Sequence, residues 1–324
     1  MRLRHRIFVA VAAWAIGTPL LMSAIISGQS GSSGAGHLRT PWGDPDLGGA
    51  WTNTTSTGLE RPAALADVEV LTDEQRAGLA AEAARYIDAP PQPGQTGAYN
   101  SFWLDQGELS ARTSLLVDPR DGRLPALTPQ AQARADDFTA RWLAPPTSWH
   151  DMSNYDRCIT RGLPGAMLPG FYNHNYIILQ TPDYLVLQIE MIHDTRIIPL
   201  NGRPSVSDEV RQWLGDSRGR WEGDTLVVET TNFTSKSEQR TAMGPYFLTL
   251  STGDHLRLVE RFTRLDETTM DYRFTVDDPT VYTKPWTAST PMRKTDQLLF
   301  EYACHEGNYG LRNVLAGARA QEVD

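Results

Sequence analysis

No basic stripe with interleaved aromatics runs through this chain, whose formal charge is −9 over 324 residues, so nucleic acid is not expected as a partner. Beyond its first 30 residues no apolar run is long enough to cross a bilayer, which confines any membrane contact to the N-terminus. No Cys follows that first apolar run to accept lipid. The phosphate-cradling G-x-x-x-x-G-K, the dinucleotide G-x-G-x-x-G and the zinc-peptidase H-E-x-x-H are all missing; His305-Glu306-Gly307-Asn308-Tyr309 ends in Tyr where the last motif needs His. No cofactor is expected. Cysteine is scarce too, with Cys158 and Cys304 alone.

What is present begins as an export signal: MRLRHR is followed by IFVAVAAWAIGTPLLMSAII. That apolar run exceeds the roughly 7 to 15 residues of a signal core and just suffices to span a bilayer. Residues 1–35 are therefore read as a signal peptide cut near Ser33-Gly34-Ala35 or, if uncleaved, as a membrane anchor. Either way the remainder is expected outside the cytoplasm, periplasmic or secreted. In that setting Cys158 and Cys304 are expected to form one disulfide, worth on the order of 4 to 5 kcal/mol for so long a loop. The alternative makes one of them a nucleophile. The rest divides into an N-terminal strand and helix lobe, 36–145, and a β domain, 146–324.

Residues Tyr172 to Arg196, YNHNYIILQTPDYLVLQIEMIHDTR, read as a long β-hairpin turning at Thr181-Pro182-Asp183-Tyr184. Pairing Thr181 with Tyr184 sets Ile178 opposite Leu187 and Tyr176 opposite Ile189. Extended further, it sets His174 opposite Met191 and Tyr172 opposite His193, all on one face. Asp194 and Arg196 follow. An apolar wall ending in titratable groups is what a ligand-binding barrel presents.

Elsewhere, Leu47-Gly48-Gly49-Ala50-Trp51 reads as a Gly-rich turn into an edge strand with a buried Trp. A helix runs from Leu71 with Thr72 and Gln75 as its capping box. Residues 89–100 read as a loop, Thr113 to Val117 as a strand, and Thr128 to Trp142 as a helix with Pro129 at its first position. Trp149 to Gly170 has no period and reads as a lining or lid segment pinned by Cys158. After the hairpin come a short helix from Asp208 to Leu214 capped by Ser207, a strand from Thr225 to Thr231, and a hairpin of 255–264 with 268–276. Strands are expected in VYTKPWTASTPM and QLLFEYACH, and a helix in NYGLRNVLAGARA. The fold class is mainly β: an antiparallel lipocalin-like barrel or strongly curved sheet with a small helical N-terminal lobe and a C-terminal helix.

Gly215-Asp216-Ser217-Arg218-Gly219 fits the nucleophile elbow G-x-S-x-G, which needs a strand before and a helix after. The expected order is the reverse, so a serine hydrolase is set aside. The functional candidates are polar groups on apolar strand faces. His193, oriented by Asp194, is the candidate acid or base, with His305 or Glu306 as counterpart. Arg196 or Arg161 would hold a developing anion and Tyr172 would donate a proton. The bland alternative has Asp194 and Arg196 close the hairpin as an ion pair and His305-Glu306 cap the last helix. No metal is expected; were one bound, His174, His193 and His305 would be its zinc ligands. Trp221, Tyr272, Trp286 and Tyr302, with Glu260, are candidates to line a cavity for a flat or oily ligand.

The segments PWGDPDLGGAWTN, RCITRGLPGAMLPG, MIHDTRIIPLNGRP, QWLGDSRGRWEGDTLVVETTNF, VERFTR, DPTVYTKPW and FEYACHEGNYGLRN together resemble a widespread family of exported bacterial proteins of uncharacterised activity. The resemblance spans most of residues 41–315 and transfers no reaction. A looser similarity to lipocalins rests on the L-x-G-x-W form at Trp51 and on Asp271-Tyr272-Arg273. The reading that results is an exported barrel acting on a small hydrophobic or aromatic molecule by cofactor-free acid-base chemistry, of lyase, isomerase or hydrolase type. The alternatives are a carrier of the same shape, a zinc-dependent hydrolase, and an envelope protein meeting a partner through Trp-rich loops.

Overall fold

The computed structural model describes residues 38–87, 90, 101–105, 107–170, 172–236 and 255–322. The apolar N-terminal segment and most of the 89–100 stretch lie outside them. Ten strands form within the unit Gly36–Asp324: β1 (Gly49–Thr52), β2 (Leu116–Asp118), β3 (Asn175–Gln180), β4 (Tyr184–Ile189), β5 (Thr195–Pro199), β6 (Asp216–Glu222), β7 (Thr225–Thr231), β8 (Arg257–Arg264), β9 (Thr269–Asp277) and β10 (Trp286–Lys294). Among the described residues three α-helices accompany them: α1 (Asp73–Ile87), α2 (Pro129–Leu143) and α3 (Tyr309–Gln321).

Every pairing between these strands is antiparallel, in the order β5-β4-β3-β1-β10-β9-β8-β7-β6, with β2 also on β10. The sheet curls into a nearly closed barrel whose edges β5 and β6 meet by packing. Gly219 of β6 permits that approach, because a Cβ there would lie 2.5 Å from Leu200 Cδ2 and 3.2 Å from Ile198 Cγ2. Strands β1 and β2, from residues 36–145, belong to the same sheet as the strands after residue 146.

Alternation explains the interior. Tyr176, Ile178, Leu185, Leu187 and Ile189 point inward and are buried, as are Phe262, Tyr272, Phe274 and Trp286 from the opposite wall. Trp51 is fully buried, its Nε1 donating to the Leu47 carbonyl at 2.9 Å. The helix starts follow their capping residues. The Thr72 hydroxyl accepts from Gln75 N–H while Gln75 Oε1 accepts from Thr72 N–H, and Thr128 caps α2 ahead of Pro129.

The hairpin has the expected register, Tyr176 opposite Ile189 and Ile178 opposite Leu187, but it ends sooner. Glu190 N–H donates to the Asn175 carbonyl at 3.0 Å, after which Ile192 and His193 take φ of 63° and 52°. The chain reverses there and returns as β5, with Arg196 opposite Leu187. Met191 and His193 therefore leave the face of β3, and Arg196 points into the barrel rather than lying beyond its open end.

Three other expectations change. Residues 208–214 form turns and a bridge instead of a helix, because the backbone there pairs with the stretch after β7: Gln212 N–H donates to the Asn232 carbonyl and the Gln212 carbonyl accepts from Thr234 N–H. QLLFEYACH forms no strand; Phe300 N–H donates to the Glu190 carboxylate, and Cys304 is tied by a disulfide. Ser217 has no helix before it. It lies inside β6, buried and bonded to Thr230 and Arg196.

Candidate functional site

Residues 160–170 are buried throughout and close the barrel at the end where β3 starts and β4 stops. Barrel side chains hold this segment by its backbone: Asn53 Nδ2 donates to the Met167 carbonyl at 2.8 Å and the Tyr176 hydroxyl to Ala166 at 3.2 Å. Leu163, Ala166 and Met167 fill the space beneath. Gly170 must lack a side chain, since a Cβ would come within 2.0 Å of His174 Nε2. Cys158 and Cys304 form a disulfide that fastens the segment to the stretch preceding α3.

Within this plug Arg161 is 5 % exposed and donates to His174 Nε2 at 3.1 Å. An arginine nitrogen can only donate, so Nε2 is the acceptor and Nδ1 carries the ring proton. That Nδ1 is buried and has no hydrogen-bond partner. Burial, and then the Arg161 charge, hold the His174 pKa well below the usual histidine range, so the ring is neutral. The guanidinium faces the Tyr155 ring, 5.3 Å from its centroid, and feels Tyr176, Tyr302 and Tyr172 as well. Burial lowers its pKa while those phenols oppose the shift. Tyr155 and Tyr302 bring their hydroxyls within 3.4 Å, and burial pushes Tyr155 up to about 12.

Tyr155 and Tyr302 also line an open cavity of about 490 Å³, together with Asn173, Glu301, Glu306 and Asn308. His193 is exposed and does not line it, but is tied to one of its lining residues: Nδ1 lies 2.8 Å from the Tyr302 carbonyl. A carbonyl only accepts, so Nδ1 carries a proton in that contact.

A second cavity of about 580 Å³ lies where the β5 and β6 edges meet, lined by Ile159, Asp194, Ile197, Trp213, Leu214 and Asp216 among others. Thr160 donates to Asp194 Oδ2 at 2.8 Å. Burial nevertheless raises that carboxyl to about 6, against the Thr160 hydrogen bond and the nearby His193.

Of the remaining candidates, Arg196 also lines the 580 Å³ cavity and Glu306 the 490 Å³ one, while the others are not among the residues lining either. Arg196 pairs inside the barrel with both Glu260 oxygens, at 2.9 and 2.5 Å, and Tyr272 donates to Glu260 at 2.9 Å. Burial alone would lower the Arg196 pKa, but Glu260 holds it above the usual value. Arg196 is thus committed to Glu260, and the expected Asp194–Arg196 pair does not form. Tyr272 and Trp286 are wholly buried, and Trp221 is half-buried against the core. Glu306 is on the rim of the 490 Å³ cavity and His305 is exposed next to it. The cap of α3 comes from Asn308, whose Oδ1 accepts from Leu311 N–H, and not from His305-Glu306. Among the described residues no three His, Cys, Asp or Glu side chains gather as a metal site requires, so His174, His193 and His305 are not brought together as ligands.

Sequence reasoning passed over Tyr155, Thr160 and Asn53. Tyr155 and Thr160 sit in the aperiodic segment singled out as a lining or lid, so the available signal was their place in it. Asn53 gave none, because its partner lies more than a hundred residues downstream. The features together define a disulfide-fastened antiparallel β-barrel with a polar, tyrosine-rich cluster at its plugged end. No family model, no curated protein and no solved structure matches the chain.

Proposed function

We propose that this protein is an exported enzyme performing cofactor-free general acid-base chemistry on a small aromatic or hydrophobic molecule held in the cavity above the Cys158–Cys304 bridge. The supporting observation is the His193 contact with the Tyr302 carbonyl. With Nδ1 engaged there, Nε2 is the nitrogen left to act as a base, and the bonded residue Tyr302 lines the cavity together with Tyr155. Arg161 stands behind Tyr155 as the group to stabilise developing negative charge. A carrier that holds its ligand inside the barrel, as a lipocalin does, would need an open lumen, whereas Trp51, Phe262, Tyr272, Phe274 and Trp286 fill this one.

Turnover of a panel of aromatic esters, β-hydroxy ketones and isomerisable enones by the purified mature protein tests the reading. His193→Ala is expected to lower kcat by about 10² to 10⁴-fold with an unchanged melting temperature. Equal turnover in the variant and the wild type, or no product from any member of the panel, sinks it.

A further inference from the structure

The seam where β5 and β6 meet holds a cavity that the proposed acid-base chemistry does not use. Its charged lining residues are Asp194, Arg196, Arg211 and Asp216. Arg196 gives its guanidinium to both Glu260 oxygens, at 2.9 and 2.5 Å, and Asp216 accepts from Arg218 at 2.6 Å. Arg211 is exposed and already engaged. Asp194 differs from all three. Its Oδ2 accepts one neutral hydrogen bond, from the Thr160 hydroxyl at 2.8 Å, and no described residue donates to Oδ1. His193 is close enough to act on this carboxyl, but its Nδ1 is held by the Tyr302 carbonyl beside the other cavity. Burial raises the Asp194 carboxyl to about 6, so at neutral pH it is a mostly ionised, half-buried carboxylate with no cation bonded to it. That is a costly arrangement, and a positive charge is what it lacks.

We propose that the seam cavity is a binding site for a small organic cation, an ammonium group on an apolar body, with Asp194 as its counter-charge. An ammonium is a compact charge with several N–H donors, and Asp194 Oδ1, on the cavity wall, is an acceptor that the described chain leaves open. Charge-assisted hydrogen bonds of this kind are the strong ones. Ile159, Ile197, Trp213 and Leu214 supply apolar surface for the rest of the molecule, and about 580 Å³ suits a body of roughly one ring with substituents. Arg211 on the same wall opposes a dication and leaves a monocation as the better fit. An anion is the poorer ligand, because the Arg196 charge that could attract it is neutralised by Glu260. The site is separate from the one above the Cys158–Cys304 bridge, since the chain at residues 193 and 194 ties His193 to Tyr302 and Asp194 to Thr160.

Calorimetric titration of the disulfide-bonded mature protein with benzylamine, benzyl alcohol and benzoate tests it. At about pH 8 benzylamine is expected to bind roughly 10-fold or more tightly than either of the others. The preference is expected to fade as pH falls, with a midpoint at the Asp194 value of about 6, because the protonated carboxyl no longer attracts a cation. Asp194→Asn is expected to bind benzylamine and benzyl alcohol alike. If that variant does not fold, Thr160→Val decides: it removes the hydrogen bond that holds the carboxylate form, so the midpoint is expected to move upward, and an unmoved midpoint overturns the proposal. Equal binding of benzylamine and benzyl alcohol in the wild type, tighter binding of benzoate, or no benzylamine binding overturns it as well. So does a preference that survives in Asp194→Asn; its loss in Glu301→Gln with Glu306→Gln would place the amine in the other cavity, which those two carboxylates line. None of these outcomes bears on His193 turnover, which stands or falls on its own assay.

Discussion

Inside the barrel Glu260 is the counter-charge that makes Arg196 tolerable, so Glu260→Gln keeps the shape and removes the charge. The expected loss is about 3 to 5 kcal/mol in urea denaturation, whereas joint replacement by Arg196→Met and Glu260→Leu is expected to be near neutral. Asp194 acts in the other direction. Its folded pKa of about 6 exceeds the ordinary 3.8, so the folded protein binds this proton more tightly than the unfolded chain. Its stabilising share is gained as pH falls from about 6 to 4 and lost as pH rises through 6, up to roughly 3 kcal/mol. Asp194→Asn is expected to be more stable than wild type at about pH 8, with the gap closing toward pH 4 in parallel urea melts. His193, Asp194 and Arg161 were legible as candidates because titratable residues stand out in apolar surroundings. Their partners were not legible, since Tyr302, Thr160 and His174 are chosen by the chain's path in space.

At the scale of elements, legibility followed apolar alternation. Strands β3, β4, β7, β8 and β9 and all three helices carry their own pattern or caps, and the turn at Thr181 to Tyr184 fixed the register of β3 on β4. Strand β6, Asp-Ser-Arg-Gly-Arg-Trp-Glu, carries almost none. It is a strand because Gly219 and Trp221 fall opposite Val228 and Leu226 of β7 and because Gly223, at φ +61°, turns the chain between them. The end of β4 was hidden for a related reason. Glu190 is held by Asn175 Nδ2 and by Phe300 N–H, and the second of these partners arrives from over a hundred residues later. A local window therefore extended the hairpin to His193 and read a strand into QLLFEYACH.

At the scale of the whole Gly36–Asp324 unit, the disulfide closes a loop of 146 residues. Cys158→Ser with Cys304→Ser is expected to lower stability by about 2 to 5 kcal/mol in denaturant. Hydrogen exchange should then rise first in residues 160–170 and leave β8 and β9 protected; uniform loss of protection would refute the segment's role as a separately fastened plug. The sheet order carries a further consequence, for the way the molecule is made. Strand β1, early in the chain, lies between β3 and β10, with Trp51 opposite both Tyr176 and Lys294. During synthesis Trp51 must wait for nearly the whole chain before its second neighbour exists. Strands β1 and β3 to β5, and strands β6 to β10, pair with earlier or adjacent strands and can form as they emerge, but the β1–β10 join that unites the two halves has to come late, and until then an apolar edge built around a tryptophan stands open to any passing chain.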